Sequence, residues 1–225
     1  MARQQRIFWE CTQPTCGFRY VEVPGAAAPR GMTCPRCGAP ARQAVVQALP
    51  AREAPIPPSE RKQPPSPTIA LLLDNFRSAY NVGSAFRTGD AAGVAHIYLT
   101  GISPPPTHSA VAKTALGAEQ AVPWSLHPNA PRLAETLQAE GWYLWVLETA
   151  PQAVPLGSLL DQPLPRKLLL AFGNEVAGVD PALLAQANAV VALPMWGYKR
   201  SLNVASAIAA SLYAVRLLGK PRMVK

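Results

Sequence analysis

The chain holds four cysteines, spaced Cys11-x4-Cys16 and then Cys34-x2-Cys37, two close pairs separated by a hairpin-sized segment. Thiolates are soft ligands, and two tight turns that each present two sulfurs compose a tetrahedral zinc site. The second knuckle, CPRCG, carries a glycine that lets backbone N–H groups approach the sulfurs; the first, CTQPTCG, is longer by two residues. Four unrelated buried cysteines are the poorer reading, because residues 1–48 have few other large apolar side chains and so small a segment needs a staple. Zinc is therefore expected on Cys11, Cys16, Cys34 and Cys37. Arg3, Arg6, Arg19, Arg30, Arg36 and Arg42 would give this module a cationic surface for RNA, although zinc ribbons also bind proteins.

Three further segments carry polar residues where an α/β fold puts chemistry. In LLLDNFRSAYNVGSAFRTGDAAGV (residues 71–94) a strand ends at Asp74 and a helix begins near Asn81, with Ser84, Arg87 and Asp90 at three-residue steps on it. Read alone, Arg87 and Asp90 are a surface i,i+3 pair. In LLLAFGNEVAGVD (residues 168–180) a strand runs into Gly173, Asn174, Glu175 and Gly178, where glycines permit a turn with positive φ and a close approach to the backbone. In residues 190–217 a strand ends at Leu193-Pro194-Met195, a loop containing Gly197 follows, and Ser201-Leu202-Asn203 opens the last helix, with Ser201 either its N-cap or, with Asn203, a polar group turned into a site. No GxGxxG follows a strand and no GxxxxGK[ST] occurs, so nothing supports a dinucleotide or nucleoside triphosphate site. His96, His108 and His127 have no metal-ligand or triad spacing and read as surface or loop residues.

The elements that must position these residues are strands Ile69–Leu73, His96–Thr100, Trp142–Glu148, Lys167–Phe172 and Val190–Leu193. All are short and continuously apolar, as strands buried on both faces of a parallel sheet are. Between them lie predicted helices Val82–Ala92, Ala110–Leu116, Ala130–Glu140, Pro181–Ala187 and Ser201–Leu218, the last stopped by Gly219. The alternation defines an α/β domain over residues 68–225. Residues 49–67 contain seven prolines and no apolar period, and are expected to form an extended linker between that domain and the module of residues 1–48.

The net charge of +8 on only 15% charged residues fits equally a polyanionic partner, nucleic acid being the commonest, and a basic surface kept for solubility. The excess is concentrated in residues 1–48, with six Lys/Arg against two Asp/Glu, where a four-thiolate zinc site would lower the balance. The sequence has no run of eighteen apolar residues, and MARQQRIFWEC is too polar for a signal peptide. The expectation is a cytoplasmic protein without a membrane segment, in which disulfides are disfavoured.

Taken together, Asn81-x5-Arg87, Gly173-Asn174-Glu175-Val176-Ala177-Gly178, and Pro194-Met195-Trp196-Gly197 followed by Ser201-Leu202-Asn203-Val204 resemble the SpoU/TrmH branch of the SPOUT RNA methyltransferases. Lys113–Glu119 also looks like that family's middle region, and the match spans nearly all of residues 69–217. Gly89 and Ala205 stand where the family pattern has Ala and Ser. The resemblance implies a mostly parallel α/β sheet with a C-terminal trefoil knot, an exception to the rule against knotted chains. It implies a homodimer with sites at the subunit interface, and transfer of a methyl group from S-adenosylmethionine to a ribose 2′-hydroxyl in tRNA or rRNA. Asn81, Arg87, Glu175, Ser201 and Asn203 match the family's catalytic positions. Gly173, Asn174, Glu175, Leu193, Met195, Gly197, Ser201 and Leu202 match those that hold the cofactor. A guanidinium cannot serve as a simple base, so Arg87 is expected to hold phosphate and stabilise charge on the 2′-oxygen. The alternatives are an inactive RNA-binding protein of the same architecture and a SPOUT enzyme acting on a base nitrogen.

Overall fold

A computed structural model describes residues 5–22, 32–48, 56–57, 60–62, 64 and 66–220. The chain divides into two units, Met1–Arg61 and Lys62–Lys225.

In the first unit, strands Gln5–Cys11 (β1), Arg19–Glu22 (β2) and Ala41–Ala48 (β3) form an antiparallel sheet in the order β2-β1-β3. The register slips between Phe8 and Trp9 where β1 meets β3. Among the described residues its buried apolar side chains are Trp9, Cys11 and Cys34, and Trp9 donates its indole N–H to Glu22 at 2.8 Å. Three buried residues are too few to offset the entropy of ordering such a chain, so the unit needs another source of stability.

The second unit is built on a seven-stranded sheet whose pairings are all parallel. Its strands are Thr68–Asp74 (β4), His96–Thr100 (β5), Trp124–His127 (β6), Tyr143–Leu147 (β7), Val154–Pro155 (β8), Lys167–Phe172 (β9) and Ala189–Ala192 (β10). Their spatial order is β6-β5-β4-β9-β7-β10-β8, so β9 is inserted between two strands laid down before it. The side-chain period of two divides β4 and β9 between two cores. Ile69, Leu71 and Leu73 join Leu168, Leu170 and Phe172 on one face, while Ala70 and Leu72 join Leu169 and Ala171 on the other.

Helices cover both faces, as a parallel sheet requires. Ala79–Ala91 (α1), Ser109–Ala115 (α2), Ala118–Ala121 (α3), Leu156–Leu160 (α5) and Val204–Leu218 (α7) contribute to the first core. Ala130–Ala139 (α4) and Pro181–Gln186 (α6) contribute to the second. The five predicted strands and five predicted helices are all present, His96–Thr100 and Lys167–Phe172 at the predicted bounds and the others with ends shifted by at most three residues. Strands β6 and β8 and helices α3 and α5 are additions. The linker reading needs revision at its end, for Pro64 packs under Gly93 and the carbonyl of Pro67 accepts from Arg216 Nη1 at 2.6 Å. Arg216 also donates to the carbonyls of Ala92 and Gly93, tying α7 to the end of α1. Most of residues 49–67 lie outside the described residues.

Candidate functional site

A cavity of about 380 Å³ opens beyond the carboxyl ends of β7, β9 and β10, where ligands sit in open parallel sheets. Its apolar wall includes Leu147, Phe172, Val191, Leu193, Leu202 and Val204. Its polar groups include Glu148, Thr149, Glu175, Arg200, Ser201 and Asn203. A flat apolar group and a charged, hydrogen-bonding tail can therefore be held in one place.

The loop after β9 is fixed by its own side chains. Asn174 accepts from the N–H groups of Val176 and Ala177 at 2.9 Å each and donates to the carbonyl of Asn75 at 2.6 Å. Gly178 has φ +76°, as predicted for this turn. Gly173 does not; a Cβ there would run into the backbone of Gly178 and Val179, so its need for glycine comes from the chain's own backbone. Beneath the loop, Glu148 accepts from the N–H groups of Val179 at 3.1 Å and Thr149 at 2.8 Å.

Glu175 reaches from this loop to the start of α1. Its carboxylate accepts from the N–H groups of Arg77 at 2.8 Å and Ser78 at 3.0 Å, and from the amide of Asn81 at 2.8 Å. Burial works against its ionisation, but these donors outweigh it and hold Glu175 below the usual carboxylate range. Asn203 extends the chain, donating from Nδ2 to Asn81 Oδ1 at 3.4 Å while its own oxygen caps α7 by accepting from Ala205 N–H at 2.9 Å. One hydrogen-bonded path thus links residues of all three motifs and the N-termini of two helices, an end of the helix that favours anions.

Of the predicted cofactor residues, Gly173, Asn174, Glu175, Leu193, Met195, Ser201 and Leu202 line the cavity, and Gly197 does not. Of the predicted catalytic residues, Glu175, Ser201 and Asn203 line it, and Asn81 stands behind Glu175. Arg87 is exposed on α1 and outside the cavity wall. Its expected pairing with Asp90 is not formed, and among the described residues it has no ion pair. Ser201 is not the N-cap; Asn203 is, which leaves Ser201 exposed on the cavity wall. Glu148 and Arg200 were missed, although a polar residue just past a parallel strand, as Glu148 is, is itself a signal. His96 and His127 are half-buried strand residues joined through Ser125 Oγ at 2.9 and 2.8 Å, and His108 caps α2. His108 is an exposed loop residue as expected, whereas His96 and His127 are not.

In the first unit the sulfurs of Cys11, Cys16, Cys34 and Cys37 lie within 4.8 Å of one another. Cys11 and Cys37 are 3.5 Å apart and Cys16 and Cys34 3.9 Å. Zn–S bonds of about 2.3 Å in a tetrahedron require sulfur separations of about 3.8 Å, so the donor set fits zinc. Gly17 and Gly38 close the two knuckles with φ +55° and +76°, and Gln13 N–H donates to Cys11 Sγ at 3.4 Å. Burial pushes the Cys11 thiol up to about 12. At Cys34 burial is outweighed by the N–H groups of Arg36 and Cys37, which bring it down to about 7. Of the arginines proposed as a cationic surface, Arg19 and Arg36 are exposed and Arg42 pairs with Glu10 at 3.6 Å. Arg3, Arg30 and the side chain of Arg6 lie outside the described residues.

The strand order and the cavity at the carboxyl ends of the central strands define an α/β domain of the SPOUT type. Residues 68–213 match the SpoU rRNA Methylase family, and the chain belongs to it. It is 33% identical over 152 residues to the 23S rRNA (guanosine-2′-O-)-methyltransferase RlmB of Pseudomonas putida, covering 67% of this chain and 60% of that protein. It is 31% identical over 156 residues to an uncharacterized tRNA/rRNA methyltransferase of Synechocystis, covering 69% of this chain and 56% of the other. Its fold matches the AdoMet-bound rRNA methyltransferase of Sinorhizobium meliloti with a TM-score of 0.62 at 28% identity, over 69% of this chain and 58% of that one. The chain spans between 56% and 60% of the length of these two curated relatives.

Proposed function

We propose that this protein transfers a methyl group from S-adenosylmethionine to a ribose 2′-hydroxyl of tRNA or rRNA, in the cytoplasm and as a homodimer. The observation that carries the reading is the cavity closed by the Asn81–Glu175–Asn203 path, on which all three family motifs meet. The apolar wall suits an adenine, and Glu148, Thr149 and Ser201 are placed for its polar tail. When bound, the cofactor supplies an already activated methyl group, so the protein must position the acceptor. The order in which β9 and β10 enter the sheet supports the trefoil knot.

Glu175, held ionised by three donors, is a positioning residue that sets Asn81 and the helix ends. Arg87 stays protonated and acts by gripping RNA and stabilising charge on the 2′-oxygen. Because Arg87 lies outside the cavity of its own chain, a homodimer in which it faces the partner's cavity gives it access to the reacting oxygen. Zinc held by Cys11, Cys16, Cys34 and Cys37 has a structural role, and the module is an RNA-binding appendage.

The test is transfer of labelled methyl to unmodified total RNA, with tRNA and rRNA separated and digested to nucleosides. A 2′-O-methylnucleoside in one fraction is expected. A methylated base would shift the reading to a base enzyme, and no label with cofactor bound would leave an RNA-binding protein. Arg87→Lys keeps the charge but loses the bidentate fork, and turnover should fall by about 100-fold or more. Near-normal turnover would remove Arg87 from the mechanism.

A further inference from the structure

The loop between β10 and α7 presents two of the chain's largest aromatic side chains to solvent: Trp196 is 90% exposed and Tyr198 96%. Single exposed apolar residues are ordinary, but two aromatics in three positions forgo a large burial. Met195 beside them faces the cavity wall, so the loop divides, with one residue turned in and its neighbours out. Lys199 and Arg200 follow at once; Lys199 Nζ stands 5.8 Å from the Tyr198 ring centroid and Arg200 borders the cavity. No acidic residue occurs from Leu193 to Asn203. A Cβ on Gly197 would meet nothing within 4 Å, so the loop stands clear of the domain between its two rings.

We infer that Trp196 and Tyr198 form a stacking platform for unpaired RNA bases beside the methylated nucleotide, with Lys199 and Arg200 holding the adjoining phosphates. The inference rests on the reading of the cavity as an RNA-modifying site, and adds the substrate class: a single-stranded or looped segment. An aromatic ring offers a face to any base, but only a base outside a duplex has a free face to return. Cations beside the rings supply the sequence-independent attraction to phosphate. A protein partner seeking an apolar patch would gain nothing from these two cations, whereas nucleic acid uses both features.

The experiment measures binding of the full-length, zinc-loaded protein to a fluorescein-labelled unstructured RNA 12-mer and to its perfect duplex. It compares wild type with Trp196→Ala, Tyr198→Ala and the corresponding Phe variants. Each alanine variant should bind the single strand about 10-fold more weakly, with the duplex little changed, and the Phe variants should restore most of the affinity. S-adenosylmethionine affinity, measured by equilibrium dialysis, should stay within twofold. Unchanged single-strand binding overturns the inference. So does parallel loss of cofactor binding, which would make the loop a cavity wall, or conversion of a wild-type dimer to monomer by light scattering, which would make it a self-association surface. If wild type stacks RNA in this way but transfers no methyl group to any RNA, the platform stands and the enzymatic reading alone fails.

Discussion

The two units are held together by different physics. In the second, Ile69 to Leu73 of β4 and Leu168 to Leu170 of β9 are fully buried, and helices cover both faces of the sheet. Burying one such leucine contributes about 1.5–3 kcal/mol, so many side chains share the stability and none is indispensable. In the first, Trp9 is the one buried apolar side chain among the described residues besides Cys11 and Cys34, and a zinc ion on the four sulfurs would concentrate stability in one removable centre. Distributed burial tolerates losses; a metal-held fold loses everything with its ligand set.

The largest effect expected from this difference follows Cys34→Ser, or removal of zinc by a chelator at neutral pH. The first unit should lose its structure outright, seen as collapse of amide dispersion for residues 5–22 and 32–48. The melting of the second unit should move by less than about 2 °C, a change worth under about 1 kcal/mol in a domain of this size. Chelation that left residues 5–22 and 32–48 folded would show the unit to be held by burial after all and end the contrast.

How much of this was legible in the sequence divides along the same line. The cysteine spacing revealed the first unit because metal sites are local in chemistry. The central strands β4, β7, β9 and β10 were legible because burial on both faces leaves an unbroken apolar run, and β5, half-buried at His96 and Tyr98, still shows an apolar centre at Ile97–Leu99. Strand β6, Trp124–His127, was not, because it lies at the sheet edge, where its residues are half-buried or exposed and the run is broken by Ser125 and His127. Two-residue β8 and four-residue α3 are too short to carry a period. In the site, Glu148 was read as the last residue of a strand; its use depends on the loop after β9, thirty residues on, which no local pattern reports. The choice of Asn203 over Ser201 as cap was similarly undecidable, since both oxygens suit the position.

An intermediate effect is expected from Glu175→Gln in the second unit. The substitution keeps an acceptor but removes the charge beside the N-terminus of α1, whose cap is Ser78, costing about 1 kcal/mol, or a melting shift of about 2–4 °C. Its pH dependence has a definite sign. The folded pKa of Glu175 is lowered, so its stabilisation is fully present above the unfolded value of about 4.3 and disappears as pH falls through the lower folded value. The gap between wild type and variant should therefore be constant from pH 6 to 8 and close below pH 4. A gap that persisted in acid would mean that shape, not charge, is what Glu175 provides.

The smallest effect belongs to Arg42→Ala in the first unit. Arg42 and Glu10 face each other across β1 and β3 at 3.6 Å, with the arginine side chain 69% exposed. A pair so open to water is worth about 0.5 kcal/mol or less, because solvent screens the attraction and both chains give up conformational freedom. In a metal-held fold even that should be invisible: loss of structure is governed by the zinc affinity, which this pair does not touch. The chelator concentration that unfolds the three-stranded sheet should then be the same for Arg42→Ala and wild type. Binding to RNA, in contrast, should become less salt-sensitive if Arg42 exchanges Glu10 for phosphate, the slope of log K against log salt falling by up to about one. A clear drop in zinc retention would place Arg42 among the residues that hold the module together, and the separation between a stabilising centre and a surface free for binding would not survive.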